Sequence, residues 1–154
     1  MQIPSWLAIA VISVGTIALL SRIPIDDRRW FFRLQRPKWL TFEGLIPFIW
    51  TVIMICGAWS SYIVWENTGS KFLSSGFYLI LLLIMSYTTV MCQTRSLKFG
   101  VVLGAAGFVL GVLLACLIFP ISKVAFGLLV PYLLWSPIGT YVTWAMIPLN
   151  QDRL

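Results

Sequence analysis

Five apolar stretches, separated by short charged clusters, occupy most of the 154 residues: Ile3 to Leu20, Leu45 to Trp65, Phe72 to Met91, Phe99 to Phe119 and Val124 to Leu149. An α-helix rises about 1.5 Å per residue, so a hydrocarbon layer of about 30 Å takes roughly 20 apolar residues in a row. Each stretch meets or nearly meets that length. The pattern predicts an all-α integral membrane protein: a five-transmembrane-helix bundle forming one domain over residues 1–154, with a long structured loop between the first and second helices. No Lys or Arg precedes the first apolar run and no small-x-small site follows it, so that run is expected to be a retained span rather than a signal peptide.

Composition agrees with the pattern. With 60% hydrophobic and 10% charged residues, too few polar groups remain to cover a soluble globule. The net charge of +6 is distributed as a topological signal rather than as a nucleic-acid footprint, and no nucleic-acid partner is expected. Arg22, Arg28, Arg29, Arg33, Arg36 and Lys38 fall in the first connection, Arg95 and Lys98 in the third, and Arg153 at the C-terminus, whereas the other connections hold only Lys71 and Lys123. The positive-inside tendency therefore puts the first loop and the C-terminus in the cytoplasm and the N-terminus on the opposite side.

Several segments stand out within this frame. The connection from Arg22 to Gly44 is too long for a plain turn and interleaves rings with bases, as in Arg28-Arg29-Trp30-Phe31-Phe32-Arg33 and Arg36-Pro37-Lys38-Trp39. Its stretch from Asp26 to Leu34 predicts a short interfacial helix capped by Asp26 or Asp27; the loop is either a topological anchor or a lid over a pocket. Trp65 is expected to anchor at an interface, while Trp50 and Trp59 lie deeper, where an indole either packs on a neighbouring helix or lines a cavity. Gly100, Gly104, Gly107, Gly111 and Ala115 share one helical face, a close-packing stripe that serves packing within the subunit or a homodimer seam. Pro131 is expected to bend the last span and free a carbonyl near Gly127. Cys56, Cys92 and Cys116 read as small buried hydrophobes.

The chain has no histidine, so no metal centre and no resident cofactor is expected. No charged residue interrupts an apolar stretch, which removes the usual signature of a proton relay or charge-coupled pump. Phosphate loops, nucleophile elbows and paired-Cys motifs are also missing. Rings, hydroxyls, small residues and a basic loop remain. They suit a flat, apolar ligand with acidic edges, stacked on indoles and met at the mouth by Arg or Lys.

These residues resemble the translocator protein or tryptophan-rich sensory protein (TspO/MBR) family. Trp30-Phe31 followed by Arg36-Pro37-Lys38-Trp39 is similar to the family's W-Y...K-P-x-W, Phe48-Ile49-Trp50 resembles its F-x-x-V-W with altered spacing, and Val64-Trp65 before Gly69 also matches. Leu129-Val130-Pro131-Tyr132-Leu133-Leu134-Trp135 corresponds to L-x-P-Y-x-x-W, and Leu149-Asn150 to the closing L-N. The third span departs from the family's Q-x-x-L-N-x-x-W-S-P; there Ser86 stands nearest the Asn position. The resemblance implies a membrane sensor or carrier that binds a tetrapyrrole such as porphyrin or haem, or a sterol-like ligand, in the lipid bilayer; a homodimer is expected as well. It implies a pocket lined by Trp30, Phe31, Pro37, Trp39, Trp50, Met54, Ser86, Trp135 and Gly139, with Arg29, Arg33, Arg36 and Lys38 near the propionates. Bacterial relatives imply an alternative, light-dependent porphyrin degradation with Trp50 and Trp135 as electron donors. A third reading is a helix-packing interaction protein working through the glycine stripe.

Overall fold

The computed structural model describes residues 4–20, 25–69, 83 and 86–153. Helices run over Ser5–Leu20 (α1), Ile25–Phe32 (α2), Ile46–Thr68 (α3), Leu97–Ile118 (α4) and Lys123–Met146 (α5), with 3-10 turns at Glu43–Leu45 and Pro148–Arg153 and no strand among the described residues. Residues 86–94 are helical as well. The rest of the expected third span lies outside the described residues, as do Ser21 to Pro24 and Lys71. Three helical segments, Glu43–Thr68, Leu97–Ile118 and Lys123–Met146, are long and apolar enough to cross a membrane, and Ser5–Gly15 is a shorter apolar helix.

These helices are apolar on every side. In α4, Leu97, Leu114 and Ile118 face inward while Val102, Val109, Leu113 and Leu117 face outward. In lipid the outward side chains lose nothing, so the hydrophobic effect does not drive the helices together, and shape complementarity must. The glycine stripe supplies it. A Cβ at Gly100 would lie 2.9 Å from Met91 Sδ and 3.2 Å from Thr143 Cγ2, one at Gly107 3.2 Å from the Tyr132 hydroxyl, and those at Gly104 and Gly111 would overlap Thr140 and the Tyr132 ring. The stripe thus lies mainly in the α4–α5 seam of a single chain, the most extensive helix interface among the described residues. Packing within the subunit is the reading these contacts support for the stripe.

Polar side chains fasten the remaining helices. Ser60, fully buried in α3, donates to the Ala125 carbonyl of α5 at 2.8 Å. Ser122 caps α5 by accepting from the Ala125 N–H at 3.2 Å. Ser5 of α1 donates to the Glu66 carboxylate at the end of α3. Pro47 opens α3, and Gly69 closes it in the left-handed conformation at φ 61°, its N–H donating to the Trp65 carbonyl.

Some details differ from expectation. Because α2 begins at Ile25, Asp26 and Asp27 sit inside its first turn rather than at its cap, and the helix stops at Phe32, two residues short of Leu34. Trp59 is 60% exposed on the outer face of α3, so among the described residues it neither packs into a helix interface nor lines the cavity. Cys116 also faces outward, whereas Cys92 is buried and Cys56 half-buried. Pro131 and Pro137 lie inside α5, where the sequence reading put them.

Candidate ligand-binding cavity

The stretch after α2 lies as a strap across one end of the helices, and a buried amide holds it there. Asn150 is 1% exposed; its Oδ1 accepts from the Gln35 N–H at 2.7 Å, and its Nδ2 donates to the Gln35 carbonyl at 3.0 Å and to the Met146 carbonyl at 2.8 Å. The side chain thereby pairs with both backbone groups of Gln35 as a neighbouring strand would, while remaining tied to the last turn of α5. Arg36 organises the strap from within. Its Nε donates to Glu43 at 3.0 Å, its Nη1 to the carbonyls of Phe31 and Leu34 at 2.9 and 2.7 Å, and its guanidinium lies 4.7 Å from the centre of the Phe31 ring.

Beneath the strap lies a partly open cavity of about 270 Å³, close to the lower end of the ~300–1,000 Å³ usual for small-molecule sites. Phe31, Arg36 and Glu43 form its rim and Trp50 of α3 one wall. Gly104 and Gly107 of α4 form a second wall, where the lack of side chains leaves room. Tyr132, Trp135, Ser136, Gly139, Thr140 and Thr143 of α5 form the third. Those α5 positions recur at three- and four-residue intervals, which places them on one helical face. Tyr87, bonded through its hydroxyl to Thr143, and Thr88 complete the enclosure.

The chemistry of the walls is specific. Thr140 Oγ1 donates to the Ser136 carbonyl at 2.9 Å and Thr143 Oγ1 to the Gly139 carbonyl at 3.1 Å. With their protons committed to the backbone, these oxygens remain as acceptors. Trp135 is only 8% exposed and packs edge-on to Phe42, with ring centres 6.3 Å apart. Its indole N–H has no hydrogen-bond partner among the described residues. A Cβ at Gly139 would stand 3.8 Å from that nitrogen with nothing nearer, so glycine keeps the space beside the N–H clear. An unmatched buried donor of this kind costs about 1–3 kcal/mol, which an acceptor would recover. The walls' charged groups, Arg36 and Glu43, are both at the rim.

Of the residues singled out from the sequence, Phe31, Arg36, Trp50, Trp135 and Gly139 meet at this cavity. The others lie elsewhere. Trp30 packs against the buried cluster of Leu34, Leu40, Met91, Leu97, Val142 and Met146, and Pro37 is buried in the strap's turn, where its carbonyl accepts from the Leu40 N–H. Trp39 stacks on Tyr141 on the outer side of α5, with ring centres 5.8 Å apart. Met54 is half-buried one turn beyond Trp50, and Ser86 donates to the Leu83 carbonyl while its neighbours Tyr87 and Thr88 face the cavity. Arg29 and Arg33 border a separate surface groove, and Lys38 is exposed. Sequence reasoning passed over Glu43, Tyr87, Tyr132, Ser136, Thr140 and Thr143 as site residues. For the α5 members the signal was present, as hydroxyls at helical spacing within an apolar span. The glycines of α4 were read only as packing residues.

Apolar spanning helices around a cavity walled by rings and hydroxyls, with a basic strap over one end, define a helical membrane protein with an internal cavity of small-molecule dimensions. The chain belongs to the TspO/MBR family, whose sequence model matches residues 6–149. It is similar to the tryptophan-rich protein TspO of Bacillus cereus, with 29% identity over 128 residues, 80% of this chain and 82% of that protein.

Proposed function

We propose that the protein is a five-helix membrane receptor or carrier that binds a tetrapyrrole in the cavity under the strap, with the strap and the C-terminus on the cytoplasmic side. The observation that carries this reading is the convergence of Trp50 and Trp135 on one cavity whose rim holds a guanidinium. Indole faces stack on a flat conjugated ligand, the acceptor oxygen of Thr140 suits a pyrrole N–H donor, and Arg36 lies where a propionate would emerge. A four-pyrrole macrocycle fills more volume than the cavity offers, so binding requires the strap to lift. Membership of the TspO/MBR family supports the same assignment.

Tryptophan fluorescence of the purified protein in lipid, titrated with protoporphyrin, tests it. Saturable quenching is expected, weakened in Trp50→Phe and in Trp135→Phe. Unsaturable partitioning that is identical in the parent and both variants would refute binding at this cavity.

A further inference from the structure

The indole N–H of Trp135 is a donor in the cavity wall that the protein itself does not satisfy: Nε1 is buried and has no hydrogen-bond partner among the described residues. Neighbouring hydroxyls are committed. Thr140 donates to the Ser136 carbonyl and Thr143 to the Gly139 carbonyl, which leaves the Tyr87 hydroxyl to donate to Thr143. Open space adjoins the indole nitrogen as well, because a Cβ at Gly139, which also lines the cavity, would meet that nitrogen at 3.8 Å and nothing else within 4 Å.

Geometry and charge narrow what can accept from it. The helices α3 and α5 run antiparallel, and from the bond between Ser60 and the Ala125 carbonyl each reaches its cavity indole, Trp50 or Trp135, ten residues on. The two rings therefore stand at one level. An indole N–H lies in the plane of its ring, so a macrocycle stacked flat on Trp135 does not accept from it, whereas one stacked on Trp50 brings its edge across the cavity to it. The matching group stands off that edge and is uncharged: among the described residues the charged members of the wall, Arg36 and Glu43, are both at the rim, and an anion beside Trp135 would have no counter-charge. Alkyl and vinyl edges leave the N–H unmatched. A carbonyl satisfies it.

We infer that Trp135 is a specificity-determining donor, through which the cavity selects tetrapyrroles bearing a formyl, acetyl or ring-keto group on the periphery over those whose edges are all hydrocarbon; this rests on the tetrapyrrole reading above. Fluorescence titration of the full-length protein in lipid with mesoporphyrin and with diacetyldeuteroporphyrin tests it, because the two share their propionates and differ in carrying ethyl or acetyl groups. Both saturate, and the acetyl compound binds roughly tenfold tighter. Trp135→benzothienylalanine, which keeps the ring shape and replaces N–H by sulfur, removes that preference by weakening the acetyl compound alone. Gly139→Ala, which crowds the space beside the nitrogen, reduces it, and Trp144→benzothienylalanine on the outer face of α5 preserves it. Resonance Raman spectra show the acetyl C=O stretch at lower frequency in the parent than in the Trp135 variant. Equal affinities in the parent, or a preference that survives in the Trp135 variant, overturn the inference and leave tetrapyrrole binding standing. Failure of both porphyrins to saturate removes the tetrapyrrole reading and this inference with it.

Discussion

Removing the Asn150 carboxamide should release the strap while leaving the helices in place. In Asn150→Ala three hydrogen bonds disappear, of which the two to Gln35 tie the strap to the helices and the one to Met146 only orients the amide. At about 0.5–1.5 kcal/mol net for each neutral bond, the loss across the strap contact spans about 1–3 kcal/mol. Gln35 is exposed, so water replaces part of what its backbone loses, and the lower half of that range applies. About 2 kcal/mol corresponds to roughly a 30-fold change in the equilibrium between docked and lifted strap. Hydrogen exchange reads this directly, because the Gln35 amide donates to Asn150 Oδ1. Its protection should fall roughly 30-fold, while amides in the middle of α4 and α5 keep theirs. Asn150→Asp should do no better: its carboxylate still accepts from Gln35 but faces two carbonyl oxygens to which it cannot donate. Unchanged exchange at Gln35 in Asn150→Ala would show that the amide does not hold the strap. Loss of protection throughout α5 would show that it supports the whole bundle instead.

Two other substitutions probe the seam and the rim. Gly111→Ala puts a methyl group into the Tyr132 ring and should lower stability by about 1–3 kcal/mol, whereas Gly127→Ala, with nothing within 4 Å of the new carbon, should leave the thermal midpoint in lipid unchanged or slightly raised. Equal midpoints for the two variants would refute the placement of the stripe. Arg36→Lys keeps the charge but cannot reach Glu43 and two carbonyls with one fork, so trypsin cleavage within the strap should accelerate several-fold; cleavage at the parental rate would mean that charge alone suffices.

The apolar stretches, read by length alone, determined that this chain crosses a membrane in helices, because hydrocarbon thickness translates directly into residue count. The aromatic and proline signature around Trp30, Trp50 and Trp135 likewise placed the chain in its family before any coordinates were known. Local pattern did not distinguish indoles that line a cavity from those that face outward. Trp50 and Trp59 lie in the same apolar span, and both environments accept a ring. The same ambiguity affected the arginines: Arg29, Arg33 and Arg36 share one loop, yet only Arg36 reaches the cavity, because the strap turns back on itself to meet Glu43. Nor could spacing say whether the glycine stripe faced its own α5 or another copy, since a small-residue face is equally ready for either partner. Those choices depend on contacts between residues as far apart in the chain as Gln35 and Asn150, and only the folded arrangement brings such groups together.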